Sequence, residues 1–148
     1  MDDIVQSWLD GYLRAWKSND PDDVRVLFTE DATYAGGPFD PEPWLGREGI
    51  VEGWLAHRDE PGTWTFEGAP LAFSNDIGVV QGLTRYSDDR TYANLWVIRF
   101  VPDGRAQSFV EWYMEPGPVR SDQERRQVHL LGERHQRLRA SAAHLSQP

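Results

Sequence analysis

At 148 residues with a net charge of −9, the chain has the length of one domain, and a domain of that length buries roughly 70% of the surface its unfolded chain exposes. The absence of cysteine excludes disulfides, thiol nucleophiles and thiolate metal sites, and no apolar run approaches the roughly 20 residues needed to span a bilayer. Residues 1–116 hold 21 acidic and nine basic side chains, an acidic body that argues against nucleic acid as a partner, because phosphate contacts need a basic surface.

The spacing of Ile4, Trp8, Tyr12 (or Leu13) and Trp16 predicts an amphipathic helix over residues 3–19. Asn19-Asp20-Pro21 breaks it, and Asp20 can cap a second, short helix with Pro21 in its first turn. That helix carries Val24, Leu27 and Phe28, and a short extended piece runs from Ala32 to Ala35. Residues 36–46 form a loop stiffened by proline and anchored by Phe39 and Trp44, suited to a lid or to a packed surface loop alike. A third helix covers 47–58, with Ile50, Val51, Trp54 and Leu55 on one stripe, and Asp59-Glu60-Pro61-Gly62 ends it. Four strands follow, over 63–73, 77–86, 91–101 and 106–114. The last two are joined by Pro102-Asp103-Gly104, where proline presets φ, aspartate bonds the nearby backbone and glycine takes the left-handed position. Helices segregated from an antiparallel sheet give an α+β fold.

Residues 117–148 stand apart behind the Pro116-Gly117-Pro118 hinge as a C-terminal amphipathic helix. Val128, Leu131, His135, Leu138, Ala142 and Leu145 form a narrow apolar seam, which packs on residues 1–116 or on a second copy of the chain. Its six arginines against three acids read as a solvated helix face. The Met-Asp-Asp start has no basic segment ahead of an apolar one, which points to a cytoplasmic protein.

This order of elements, with its motifs, resembles the nuclear transport factor 2-like superfamily and its bacterial SnoaL-like members. Trp16 to Asp20 (WKSND) is similar to the family's end of helix one, Leu27 to Tyr34 (LFTEDATY) to its entry into strand one, and Leu45 to Ile50 (LGREGI) to its start of helix three. The resemblance covers residues 3–115. It implies a cone-shaped domain in which three N-terminal helices and a curved, mainly antiparallel sheet enclose one deep apolar pocket, often in a homodimer built on the outer sheet face. The fold hosts many chemistries and some binding proteins.

The family's known chemistries fit this chain poorly. In ketosteroid isomerase-like members the helix-one tyrosine falls on Tyr12, but the carboxylate base falls on Gly36 and the second oxyanion donor on Trp96; Asp40 could reach in from the next loop. In limonene-epoxide hydrolase-like members the Asp-Arg-Asp set falls on Trp96, Asn94 and the neighbourhood of Trp112. Glu111 is adjacent, but alternation turns it away if Trp112 points inward. The acid/base aspartate of SnoaL-like cyclases likewise meets indole.

With Trp96 inward, Tyr92, Asn94, Ile98 and Phe100 share its face, and Val110, Trp112 and Met114 are the inward residues of the last strand. Phe109, Glu111 and Tyr113 then face outward, toward a dimer partner. Trp16, Trp44, Trp54, Tyr92, Trp96 and Trp112 are the candidate ligand-binding residues, an aromatic lining for a small hydrophobic or aromatic molecule. Tyr12, Tyr34, Asn94 and His57 are the candidate catalytic residues. The bland alternatives are a core tyrosine bonded to backbone for Tyr12 and a solvent-facing side chain near a helix end for His57. Arg85 is an anion anchor or a surface strand residue. Neither a metal-ligand cluster nor a dinucleotide or phosphate-loop motif occurs, so no cofactor or metal is expected. Two functions remain open: an isomerase, cyclase or hydrolase using tyrosine-based polar groups, and a non-catalytic small-molecule-binding or accessory protein.

Overall fold

The computed structural model of the protein describes residues 3–117, 132–134 and 136–137. It opens with α1 (Asp3–Ser18), whose Val5, Trp8, Leu9, Tyr12 and Ala15 fall on one buried stripe, as residues three and four apart must. Asn19 ends it at φ 51°, a left-handed conformation that asparagine tolerates better than most residues. Asp20 then caps α2 (Pro21–Arg25), its Oδ1 accepting the Asp22 N–H at 2.8 Å with Pro21 in the first turn. Leu27 and Phe28 do not belong to this helix: Phe28 opens β1 (Phe28–Ala35), a longer strand than the predicted 32–35. The pairing of β1 shifts between Phe28 and Thr33, where Glu30 and Asp31 are both exposed. That irregularity erased the alternation by which the strand would have been recognised.

The loop after β1 contains a two-residue strand, β2 (Trp44–Leu45), paired antiparallel with Thr33 and Tyr34. In α3 (Arg47–Ala56), Ile50, Val51 and Trp54 are buried, and His57 forms its C-cap. Trp44 lies flat on this helix at Gly53, where an added Cβ would stand 2.3 Å from the indole ring, so only glycine admits the ring so close.

β3 (Trp64–Ser74), β4 (Ile77–Tyr86), β5 (Thr91–Phe100) and β6 (Ala106–Met114) complete a curved sheet in the order β2-β1-β6-β5-β4-β3. Every neighbouring pair is antiparallel except β1 with β6. The three helices pack on this sheet, and the core between them is built from side chains such as Val5, Trp8, Phe28, Ile98, Phe100 and Phe109. The fold is therefore α+β, as the sequence predicts. The β5–β6 turn has the expected chemistry: Gly104 sits at φ 93° and Asp103 Oδ1 accepts the Arg105 N–H at 3.0 Å.

The register of β6 is opposite to the predicted one. Uninterrupted alternation from the buried Ala106 would carry Ser108, Val110, Trp112 and Met114 inward. Instead the ladder shifts: Arg99 pairs with Ser108, and the next β5 residue, Phe100, pairs with Ala106. Gln107 is thus an extra residue, a β-bulge, and one extra residue moves every later side chain to the other face. Phe109 becomes fully buried, Glu111 follows it inward, and Tyr113 on the same face reaches the exposed cavity mouth. Trp112 and Met114 turn outward, 40% and 53% exposed. Phe109, predicted as a dimer contact, is core.

Residues 132–134 and 136–137 are helical, with Arg137 beside Glu133 at 3.6 Å. The predicted apolar seam, Val128, Leu131, His135, Leu138, Ala142 and Leu145, lies outside the described residues. The chain divides into two compact units, Met1–Pro116 and Gly117–Pro148.

Candidate functional site

A cavity of about 420 Å³ opens between α1, β1, α3 and the far ends of β4 and β6. At its inner end the Tyr12 and Tyr34 hydroxyls lie 2.9 Å apart. Two phenols carry two O–H protons and their mutual bond uses one, so a second remains to donate into the cavity. Burial pushes both phenols well above their ordinary pKa, and nearby negative charge, including that of Glu111, adds to the rise. Both are therefore neutral hydrogen-bond donors at physiological pH. The pair is locked by aromatic packing: Tyr34 stacks on Trp44 at 4.7 Å, and Tyr12 meets Trp54 edge-to-face at 5.0 Å.

Glu111 enters the same space from β6, directly opposite Trp96 in the ladder. Burial pushes its carboxyl up to about 7, and the Asp59 carboxylate adds to the rise. The Trp96 indole N–H opposes it from the facing strand. That N–H stops short of hydrogen-bonding geometry, and it is a buried donor with no acceptor. The Trp96 ring is itself fixed by Phe66, stacked on it at 5.0 Å and 9°. Gly82 makes that stacking possible, since a Cβ there would stand 2.3 Å from the Phe66 ring.

Asp59, just beyond the end of α3, forms one wall. Its Oδ2 accepts the Trp16 indole N–H at 3.0 Å and the Tyr86 hydroxyl at 3.2 Å. The Asp59 loop is tied to the end of α1 by Asn19, whose Nδ2 donates to the Asp59 carbonyl at 3.0 Å. The Asn19 Oδ1 in turn accepts the Trp54 indole N–H at 3.3 Å. The left-handed turn that ends α1 thus also positions a cavity carboxylate. Tyr86 is pushed above its ordinary value, first by burial and then by the Asp59 charge. At the mouth stand the exposed His57, Arg58, Glu42 and Tyr113. Asp40 is there too, with both oxygens accepting backbone N–H groups, from Gly36 and Glu42, at 2.9 Å each. Those bonds hold its carboxyl below the usual carboxylate range.

Of the ten residues singled out from sequence, Tyr12, Tyr34, Trp16, Trp44, Trp54 and His57 line the cavity. The other four do not. Asn94 is buried with its Oδ1 accepting the Thr84 hydroxyl at 2.6 Å, a bond within the sheet. Trp96 is 1% exposed and lies behind Glu111. Tyr92 packs on Tyr86 and Tyr113, away from the lining. Trp112 faces outward because of the bulge. His57 sits in solvent at the mouth, its Nδ1–H donating to the Gly53 carbonyl at 3.0 Å and Nε2 left open. Arg85 is a surface residue beside Glu67 at 3.4 Å.

The sequence reading missed Glu111, Asp59 and Tyr86. For Glu111 the apolar pattern itself misled, since Val110, Trp112 and Met114 look more inward than Phe109, Glu111 and Tyr113. Asp59 was spent on a helix-stop motif; an acid beside His57 was the available signal. Among the described residues, no group of three or more His, Asp or Glu side chains is arranged to hold a metal ion. Also among them, no helix is long and apolar enough to cross a membrane.

The fold recurs in solved structures. An NTF2-like protein of unknown function from Burkholderia xenovorans superposes with a TM-score of 0.66 at 16% identity, covering 83% of this chain and 92% of that one. An NTF2-like protein of unknown function from Mesorhizobium loti gives 0.60 at 16%, covering 76% and 93%. A ketosteroid isomerase-like protein from Erwinia carotovora gives 0.56 at 18%, covering 78% and 97%. No curated protein matches the sequence. The profile of the SnoaL-like domain matches residues 9–119, most of the chain and every element of the sheet, and the chain belongs to the SnoaL-like domain family.

Proposed function

We propose that this protein is a small-molecule enzyme of the proton-transfer type, with Glu111 as general base and acid and the Tyr12–Tyr34 pair as the neutral donor to a developing oxyanion. The observation that carries the reading is the Glu111 carboxyl, pushed up to about 7 in a cavity it shares with a spare phenolic O–H. A base that titrates near the operating pH is half ionised and still strong enough to remove a proton, the best compromise for acid–base catalysis. In the step envisaged, the Glu111 carboxylate takes a proton from carbon next to a carbonyl. The C–H electron pair moves into the new C=C bond as the carbonyl π pair moves onto oxygen. That oxygen accepts the tyrosine O–H, and Glu111 then returns the proton to the same carbon or, where the carbonyl compound is β,γ-unsaturated, to the γ-carbon as the double bond shifts into conjugation. Both phenols, raised by burial, stay protonated throughout, as an oxyanion donor must.

The test is deuterium exchange in D2O, followed by NMR, at carbons next to the carbonyl of a panel of neutral and amine-bearing aryl ketones. The protein should accelerate exchange, and Glu111→Gln should lower that acceleration by about 10²-fold or more. Exchange no faster than buffer across the panel sinks the catalytic reading. The second reading, a binding protein without chemistry, is favoured by the indole of Trp96 where relatives keep an acid. It predicts ligand binding with no exchange. We also read the protein as a cytoplasmic homodimer. What supports the dimer is the outward Trp112 and Met114 with Leu71, which is 60% exposed, all large apolar side chains left on the outer sheet surface. Sedimentation of the protein against a Trp112→Glu variant tests it; an unchanged monomer in both removes it.

A further inference from the structure

The charges lining the inner cavity are all of one sign. Glu111 and Asp59 both project into it, and the cationic side chain of Arg58 is exposed at its mouth beside His57. The carboxylates also have unused capacity. Asp59 Oδ2 takes two hydrogen bonds and Oδ1 takes none, and the Glu111 oxygens accept none from any described residue. The remaining lining is aromatic and set in corners. Tyr12 stands at 79° to Trp16 with centroids 5.9 Å apart, and at 62° to Trp54. Trp16 is backed on one face by Trp64, stacked at 3.6 Å. An aromatic-lined cavity with two inward carboxylates has the chemistry that recognises an ammonium group. A separate observation bears on the ionised form of Glu111. Trp96 Nε1–H is buried, unpartnered and directed at the Glu111 carboxyl, a donor that an ionised, re-aimed Glu111 would satisfy.

We propose that the inner end of this cavity binds an organic cation, a protonated or quaternary amine, between the Glu111 and Asp59 carboxylates and beside the ring of Trp16. This rests on reading the cavity as the reaction site, and it names the substrate class: a small amine-bearing molecule whose reacting carbon lies within reach of Glu111. Without a ligand, burial holds the proton on Glu111 and the nearby Asp59 carboxylate adds to this. A cation reverses both effects, so binding and loss of the Glu111 proton are linked. The groups facing Glu111 are Asp59 from the loop after α3, Tyr12 from α1, Tyr34 from β1, Tyr86 from β4 and Trp96 from β5. Of these, Asp59 is the acidic neighbour that raises the Glu111 carboxyl. Asp40, Glu42, His57 and Arg58 stand at the mouth.

The experiment uses the full chain and two shape-matched probes, choline and its neutral isostere 3,3-dimethylbutan-1-ol, titrated by tryptophan fluorescence and calorimetry at pH 5.5 and 8.5. Choline should bind at least tenfold tighter than the alcohol at pH 8.5. With Glu111 titrating about pH 7, choline affinity should fall about 30-fold at pH 5.5, and at pH 5.5–7 its binding should release protons. The alcohol should show neither effect. Glu111→Gln and Asp59→Asn should each bring choline down toward the alcohol while leaving the alcohol's affinity unchanged, which shows that the variant cavity is still formed. Equal affinity for the two probes, preference for the alcohol, or no binding of either overturns the proposal. Deuterium exchange on neutral ketones with no choline preference overturns this proposal alone. Choline binding with no exchange on any ketone supports it and sinks only the catalytic reading.

Discussion

The Glu111→Gln substitution makes a prediction about stability that needs no substrate. A carboxyl that titrates near 4.5 in the unfolded chain and at about 7 when folded holds its proton more tightly in the folded state. Its contribution to stability is therefore intact below pH 4.5, is lost as the pH rises from 4.5 to 7, and stays lost above that. One pKa unit corresponds to about 1.4 kcal/mol, so the full cost of ionising Glu111 in place approaches ~3 kcal/mol. Water entering from the cavity mouth lowers this, and about 1–3 kcal/mol is expected. Glutamine keeps the shape of the protonated acid and removes the titration. Urea unfolding of both proteins at pH 5 and pH 8.5 supplies the measurement. Other titrating groups are common to the two proteins and largely cancel in the difference. The variant should exceed the parent by less than about 1 kcal/mol at pH 5 and by about 1–3 kcal/mol at pH 8.5, or about 2–4 °C in Tm for each kcal/mol. An equal difference at the two pH values, or a parent more stable than the variant at pH 8.5, would show that the carboxylate is solvated or paired. Its placement as the buried acid of the site would then be wrong.

Two further substitutions should move the Glu111 titration in opposite directions, read by NMR of the labelled carboxyl. Asp59→Asn removes a repelling charge and should bring the midpoint below about 7, whereas Trp96→Phe removes the opposing indole N–H and should raise it further. Gly53→Ala drives a methyl group into the Trp44 ring, 2.3 Å from the ideal Cβ position. It should cost about 1–3 kcal/mol by overpacking, measured by thermal unfolding. On the outer face, Met114→Lys at a side chain that is 53% exposed, made in the Trp112→Glu background so that the proposed dimer does not enter, should change stability in urea unfolding by no more than about 0.5 kcal/mol.

The sequence was most legible where a local signal and the tertiary environment agree. The α1 stripe, the Asp20 cap and the Gly104 turn each follow from side-chain spacing or backbone chemistry within a few residues, and the structure has all three. It was least legible where one residue changes a register. Gln107 carries no mark of a bulge, since nothing in its chemistry differs from that of a ladder residue. The apolar pattern of Val110, Trp112 and Met114 then argued for the wrong face. Within the site, the α1 and α3 aromatics were recoverable because a helix fixes its own face. The Asp59 carboxylate was not, because its direction depends on Asn19, Trp16 and Tyr86, partners from two distant parts of the chain.

The bulge also changes what a position-by-position comparison with relatives can conclude. Tryptophan at position 96 on β5 looked like the loss of a catalytic acid, and along that strand alone the acid is lost. A sheet face, however, is two-dimensional. Residues opposite each other on adjacent strands have Cβ atoms about 4.5–5.5 Å apart, less than the reach of a glutamate side chain. Glu111 pairs directly with Trp96, so the neighbouring strand presents a carboxyl beside that position and into the cavity. On β6 it is pressed between an indole edge and a second carboxylate, and both burial and Asp59 favour its protonated form. In the proposed reading, Glu111 keeps its proton until a cation, or a substrate that needs the base, binds beside it. For this reason the two readings, proton transfer and recognition of an amine, converge on the same residue and still fail separately when tested.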